Sequence, residues 1–185
     1  VLATDVRYAA KEQVESLGEK FIVVDEEAMK AAETEGGYAR EMSQDFKNKQ
    51  AEAVGKEVVK SDIIITTALI PGKEAPILLA NELISRMKSG SVIVDLAVEA
   101  GGNVEGSVKD KVITTENGVI IIGHSNMPSL LSRDASSLFG RNILNFMNLI
   151  IDKANHSLNI NWDDEIIKGT LVTRNNLITN TNLKQ

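Results

Sequence analysis

Ile63-Ile64-Ile65-Thr66-Thr67-Ala68-Leu69-Ile70-Pro71-Gly72 is the stretch that sets the fold class. Three consecutive isoleucines with no polar alternation describe a strand covered on both faces, and Pro71-Gly72 turns the chain once that strand has ended. On either side the same alternation of apolar strand and amphipathic helix repeats. Residues 39–60 read as a long helix, with Met42, Phe46, Ala53, Val54 and Val58 on one stripe and Lys and Glu over much of the rest. Residues 76–87 read as a helix stopped by Gly90, and Ser91-Val92-Ile93-Val94-Asp95 as the next strand. Upstream, residues 1–4 and Phe21-Ile22-Val23-Val24 are short apolar strands. They flank a helix over 9–17, whose Ala10, Val14 and Leu17 share a face ahead of Gly18. Downstream, residues 112–114 and 119–122 form two strands joined at Glu116-Asn117-Gly118, and a helical region spans 130–151. Apolar strands separated by helices predict an α/β fold with a doubly wound, Rossmann-like parallel sheet. From Asn155 the chain turns polar, Asn-rich and strand-like, with turns at Asp163-Asp164 and Arg174-Asn175-Asn176. The expected division is a main domain over 1–150 and, over 151–185, a C-terminal segment belonging to a second subdomain.

Composition removes several classes of chemistry. With 185 residues, 43% hydrophobic and 25% charged, the chain has enough apolar material for a packed core. It has no cysteine, which excludes disulfide scaffolds, thiolate metal sites and cysteine nucleophiles. Two histidines, His124 and His156, argue against a His-rich metal site, and no metal ligands are assigned. A net charge of −6 argues against nucleic acid as a partner. No apolar run reaches the roughly 18 residues of a membrane helix, so this segment is not expected to insert directly into a membrane. The opening Val1-Leu2-Ala3-Thr4-Asp5 reads as the end of a buried strand, and the expectation is a piece of something longer.

Five segments carry candidate chemistry. Asp5 follows an apolar strand and precedes a helix, where a carboxylate can accept both hydroxyls of an adenosine ribose; the alternative is a plain helix cap. Arg7 beside it complicates a choice of NAD over NADP, because an arginine there accommodates a 2′-phosphate. The segment Glu33-Thr34-Glu35-Gly36-Gly37-Tyr38 reads either as a hinged loop with an aromatic tip or as a solvated linker. Residues 66–72, at the carboxyl end of a strand, either line a nucleotide pocket through Leu69 and the backbone or form an ordinary strand-to-helix loop. Asp95 and Glu99, ahead of Gly101-Gly102, form a conceivable acid pair. Gly123-His124-Ser125-Asn126-Met127-Pro128, with Asp134, permits a Ser-His-Asp triad on paper but lacks a nucleophile elbow. A turn closed by Pro128 and a helix cap from Ser129 or Ser132 is the plainer reading, and His156 is expected in solvent.

Taken in order, Thr4-Asp5-Val6-Arg7, the helix from Lys11 to Gly18, Gly36-Gly37-Tyr38-Ala39-Arg40-Glu41-Met42, Thr67-Ala68-Leu69-Ile70-Pro71-Gly72-Lys73, Val94-Asp95-Leu96-Ala97-Val98-Glu99-Ala100-Gly101-Gly102-Asn103 and Gly123-His124-Ser125-Asn126-Met127-Pro128-Ser129 form a set. Together they resemble the NAD(H)-binding domain of the proton-translocating NAD(P) transhydrogenase alpha subunit. The likeness runs from Asp5 to about Asn145 and more loosely through Thr173-Arg174. It implies hydride transfer from NADH on this domain to NADP+ on a separate domain, coupled to proton movement through a membrane domain. On this resemblance Asp5, Val6 and Arg7 lie at the adenosine ribose, and Gly37 and Tyr38 belong to a mobile loop that closes on the nucleotide. Gln50 corresponds to an NAD contact, and Ala68 and Leu69 to the loop at the adenosine part. No side chain is assigned a catalytic role; catalysis lies in apposing the two nicotinamides and excluding water.

The resemblance also implies a homodimer, with the NADP-binding and membrane domains as partners. It implies a peripheral position at the cytoplasmic or mitochondrial matrix face of the inner membrane. The family's first strand and glycine-rich phosphate loop are expected about 20 residues ahead of Asp5, and its Arg-Gln-Asp loop also ahead of Val1. The chain by itself is therefore expected to bind NAD weakly or not at all. A related NAD-dependent alanine dehydrogenase shares the Gly-Gly and Asn-Met-Pro elements, but Gly36-Gly37-Tyr38 and residues 67–72 speak against it. A third reading is a non-catalytic NAD(H)-binding module.

Overall fold

A computed structural model describes residues 1–32, 43–70 and 72–180. The chain divides into two compact units, Val1–Ser125 and Asn126–Gln185. The first unit runs β1 (Leu2–Ala3), α1 (Ala9–Ser16), β2 (Lys20–Phe21), α2 (Glu26–Ala32), α3 (Gln44–Val58), β3 (Ile63–Thr66), α4 (Asn81–Ile84), β4 (Val92–Asp95), a 3-10 turn (Val98–Ala100), β5 (Val112–Thr114) and β6 (Ile120–Ile122). Its main sheet has the order β3-β4-β6-β5. β3, β4 and β6 are parallel and β5 runs antiparallel at the edge, with Ile64 opposite Ile93 and Ile93 opposite Ile121. β1 and β2 pair in parallel as a separate two-stranded sheet. The parallel-dominated α/β architecture expected from the apolar strands is present.

Burial follows strand position. Ile93 and Ile121, on the two central strands, are 0% and 1% exposed. They join Val58 from α3, Ile84 from α4, and Leu79, Met87, Val104 and Val119 in one apolar cluster. Each fully buried side chain of this size contributes about 1.5–3 kcal/mol before entropy is counted. Helix α3 begins where Ser43 Oγ accepts from the Phe46 amide at 3.2 Å. It lays Phe46, Val54 and Val58 inward, as the stripe predicts, while Met42 lies outside the described residues.

Four local expectations change. The helix expected over 76–87 contracts to α4, because the chain before it is committed elsewhere. Ala75 N donates to Ala100 O (2.7 Å), Leu78 N to Asn103 O (2.8 Å), and Glu105 N to Leu79 O (2.9 Å). Pro76 also biases Ala75 away from helical geometry. The strand expected over 21–24 is only Lys20–Phe21. β3 is not covered on both faces: Ile63 and Ile65 are 67% and 61% exposed. Their register partners Val92 and Val94 on β4 are also only partly buried, so that face of the sheet is incompletely covered among the described residues. Finally, the strand-like tail holds a helix.

The second unit runs α5 (Met127–Leu130), α6 (Ser132–Ile150), β7 (Ile151–Asp152), β8 (Ser157–Leu158), α7 (Glu165–Thr170), β9 (Thr173–Arg174) and β10 (Leu177–Ile178). Asp164 caps α7 by accepting from Ile166 N and Ile167 N; the residue read as a turn is a helix start. Pro128 sits in the first turn of α5, as expected. Neither serine caps: Ser129 Oγ donates to Asn126 O (2.7 Å), and α6 starts without a side-chain cap. Arg174 stacks its guanidinium 3.7 Å from the Trp162 ring. No helix among the described residues is long and apolar enough to cross a membrane.

Candidate functional site

Open parallel sheets present their ligand-binding loops at the carboxyl ends of the strands, and three such ends carry polar chemistry here. At the end of β1, Asp5 Oδ1 accepts from Arg7 N (2.8 Å) and Arg7 Nε (3.1 Å), and Oδ2 accepts from Arg7 Nη2 (2.7 Å). Partial burial pushes the Asp5 carboxyl up, but the Arg7 hydrogen bonds and charge together outweigh it and hold the group below its ordinary value. Arg7 is thus engaged with the carboxylate beside it. Val6, between them, is exposed. Just behind, Glu26 Oε1 accepts from Tyr8 Oη (2.8 Å) and Lys30 Nζ (2.8 Å), tying α2 back to the turn before α1. The Lys30 bond, then the Tyr8 bond, lower the Glu26 carboxyl to about 2.

The second end is that of β3, and it is built together with the end of β4. Asp95 is 0% exposed. Its Oδ1 accepts from Ala97 N (3.0 Å), Asn103 N (3.2 Å) and Thr66 Oγ1 (3.4 Å), and its Oδ2 from Asn103 N (3.1 Å). Asn103, also 0% exposed, turns its amide toward the loop after β3: Oδ1 accepts from Ala68 N (2.9 Å), and Nδ2 donates to Ala68 O (2.9 Å) and Pro76 O (2.8 Å). Gly101 and Gly102 take positive φ (98° and 87°), so the chain doubles back onto Asp95. Leu69, next to the pinned Ala68 peptide, is 59% exposed.

The third end follows β6. Asp110 (φ 58°) accepts at Oδ1 from Ser125 N (3.0 Å) and Ser125 Oγ (2.7 Å), which lowers its carboxyl below the ordinary value. The Ser125 hydroxyl proton is therefore committed to Asp110, and no hydrogen bond joins it to His124, so the triad reading has no geometric basis. The acid pair also dissolves. Asp95 is buried among backbone donors, whereas Glu99 is exposed and paired with Lys109 at 2.9 Å.

Of the residues singled out in the sequence, Asp5, Val6 and Arg7 lie at one strand end and Ala68 and Leu69 at another. Gln50 is partly buried within α3. Gly37 and Tyr38 lie outside the described residues. Among the described residues no group of three or more His, Asp or Glu is arranged to hold a metal.

The profile of the alanine dehydrogenase/PNT C-terminal domain family matches residues 1–181. The chain belongs to this family. Within it, an NAD(P) transhydrogenase alpha-subunit polypeptide of Rhodospirillum rubrum is 58% identical over 178 residues, which is 96% of this chain and 46% of the relative. The corresponding polypeptide of Rickettsia prowazekii is 44% identical over 97% of this chain and 45% of its own length. The chain thus spans about half the length of these relatives. A crystal structure of transhydrogenase from Sinorhizobium meliloti superimposes with a TM-score of 0.67 and 43% identity, covering 96% of this chain and 45% of that one. Similarity to the alanine dehydrogenase arm of the family is weaker: alanine dehydrogenase 1 of Staphylococcus aureus is 33% identical over 55% of this chain. An L-alanine dehydrogenase structure shares the fold, with a TM-score of 0.56. In this family member, the Asn103 contacts are what sequence reasoning missed. The residue was visible behind Gly101-Gly102, but nothing local assigned its side chain to Ala68 and Pro76.

Proposed function

We propose that this chain forms most of the NAD(H)-binding domain of a proton-translocating NAD(P) transhydrogenase alpha subunit. The observation that carries the reading is the 58% identity to the Rhodospirillum rubrum polypeptide across 96% of this chain, against 33% across 55% for alanine dehydrogenase. The residues present fit a dinucleotide. A half-buried carboxylate, Asp5, stands at the end of a parallel strand, and an exposed apolar side chain, Leu69, follows a pinned peptide at the end of another.

NAD(H), when bound, supplies the hydride. The chain's own residues bind and orient. Asp5 accepts from the ribose hydroxyls once Arg7 gives up part of its hold, and its negative charge favours NAD over NADP. Ala68 and Leu69 line the adenosine side, Val6 flanks the ribose, and Gln50 adds a polar contact from α3. Gly37 and Tyr38 close over the nucleotide. The division into a nucleotide-binding domain over 1–150 and a return segment over 151–185 belongs to the same proposal. So do NADP(H) on a separate domain, a membrane domain as partner, a homodimer, and a peripheral place at the cytoplasmic or matrix face of the membrane.

The test uses the full-length chain combined with its NADP-binding domain. Hydride exchange between NADH and an NADP+ analogue is expected, and Asp5→Asn is expected to weaken NADH binding by about 1.5–3 kcal/mol, the value of a charge-assisted hydrogen bond. Absence of exchange, with NADH oxidation that depends instead on pyruvate and ammonia, would replace this reading with alanine dehydrogenase.

A further inference from the structure

We propose that Asn103 is the positioning residue for the nucleotide side of the site: its buried amide clamps the Ala68 peptide so that the backbone around Leu69 is already set before a ligand arrives. The inference rests on the NAD(H)-binding reading above and adds to it a residue that does not itself touch the nucleotide. β3 and β4 are already joined over four register pairs, Ile63 with Val92 through Thr66 with Asp95. Asn103 adds nothing to that ladder. It acts one step beyond, where Ala68 has left the strand.

There the side chain does what a neighbouring strand would do: it accepts from Ala68 N and donates to Ala68 O, both at 2.9 Å. Its second amide proton goes to Pro76 O at 2.8 Å, on the far side of the same loop. Its backbone is committed as well. The N–H is held by the Asp95 carboxylate, and the carbonyl accepts from Leu78 N (2.8 Å) and Leu79 N (3.1 Å). Ala68 and Pro76 are thereby both tied to one residue that is 0% exposed.

Only a carboxamide of this length supplies one acceptor and two donors in this arrangement. An aspartate loses both donors, and serine or alanine cannot span the gap. Because buried polar groups left without partners are costly, the loop leaves this conformation when the amide is removed. A ligand that needs the loop in place must then order it on binding, which lowers affinity without altering the chemistry.

The experiment takes the full-length chain with Asn103→Ser and Asn103→Ala, titrated with NADH and with ADP-ribose, alongside thermal unfolding and steady-state hydride exchange. Both ligands are expected to weaken about tenfold, equivalent to about 1.4 kcal/mol. KM for NADH should rise by the same factor while kcat is retained. A fall in melting temperature with both affinities unchanged would overturn the inference and leave Asn103 a purely structural residue. Failure of the unsubstituted full-length protein, which extends beyond this chain, to bind NADH at all would overturn the NAD(H) reading itself, and the clamp with it. Amide exchange on the unsubstituted, ligand-free chain gives an answer even if the variants do not fold. The Ala68 N–H is expected to be protected, and exchange at the rate of an open loop refutes the clamp.

Discussion

Gly102→Ala is the sharpest probe of the corner between β4 and the loop after β3. Gly102 sits at φ +87°, and a methyl group added there meets Asp95 Oδ2 at 2.7 Å, well inside the 3.4 Å at which ordinary contact begins. Two costs add. Placing an L-residue in left-handed geometry costs about 1–2 kcal/mol. The carboxylate must also move, and it is fully buried with Ala97 N, Asn103 N and Thr66 Oγ1 as its donors. Leaving even one of those buried donors unpaired costs about 1–3 kcal/mol. The expected loss is therefore about 2–5 kcal/mol. Gly101→Ala is the control. It has a similar φ of +98°, but its nearest neighbour, Glu74 Cβ, is 3.9 Å away. Only the backbone cost of about 1–2 kcal/mol applies there. Urea unfolding of both variants, followed by far-UV circular dichroism, measures the difference. Equal losses would refute the argument that the Asp95 carboxylate is fixed in place.

Two further outcomes follow from contacts elsewhere in the first unit. Asn117 Nδ2 donates to Ile84 O (3.1 Å), Ser85 O (3.2 Å) and Met87 O (3.3 Å), closing the carbonyl end of α4 from the β5–β6 hairpin. Asn117→Ala should destabilise by about 1–2 kcal/mol, read as a lowered urea midpoint; no change would show those carbonyls to be satisfied by water. Glu26 is lowered from its ordinary 4.5 to about 2, chiefly by Lys30 and Tyr8. A depressed carboxyl stabilises the folded state above its unfolded value, and that contribution is lost as pH falls from about 4.5 through about 2. Glu26→Gln should therefore flatten the stability–pH slope in that window and leave the slope near neutrality as it was. An unaltered acid slope would show that the pair with Lys30 does not persist in solution.

The strands that lie deepest were the most legible. Val92-Ile93-Val94 has a strand on either side and buries Ile93 completely, so local sequence carries the strand signal, although Val92 and Val94 on the other face are only partly buried. Ile63-Ile64-Ile65 gave the strand but misled on its surroundings, since three isoleucines look the same on an edge as in the centre. The helix over 76–87 failed for a non-local reason: residues 75–79 pair with 100–105, and that pairing overrides good helical periodicity. Helix α7 was hidden because Asp164 serves a turn and an N-cap equally well. Asp5, Ala68 and Leu69 follow the ends of β1 and β3, the places a general rule about strand ends selects for a ligand. Asn103 was not legible in this way, because its partners Ala68 and Pro76 stand 35 and 27 residues away, and no local pattern encodes a contact at that range.

Among the described residues β3 is an edge strand, and this has a consequence for how this polypeptide behaves in a tube. An uncovered edge of β-branched residues is a template for intermolecular pairing. Here it presents Ile63 and Ile65 on an open face, with no proline inside the strand. The flanks act against it. Asp62, largely exposed and paired with Lys88, stands at the entrance to the strand, with Lys60 just before it. Charges in that position penalise stacking of one copy on another. The net charge of −6 adds a general repulsion. High salt, which screens both, is the condition under which self-association through this edge should first appear.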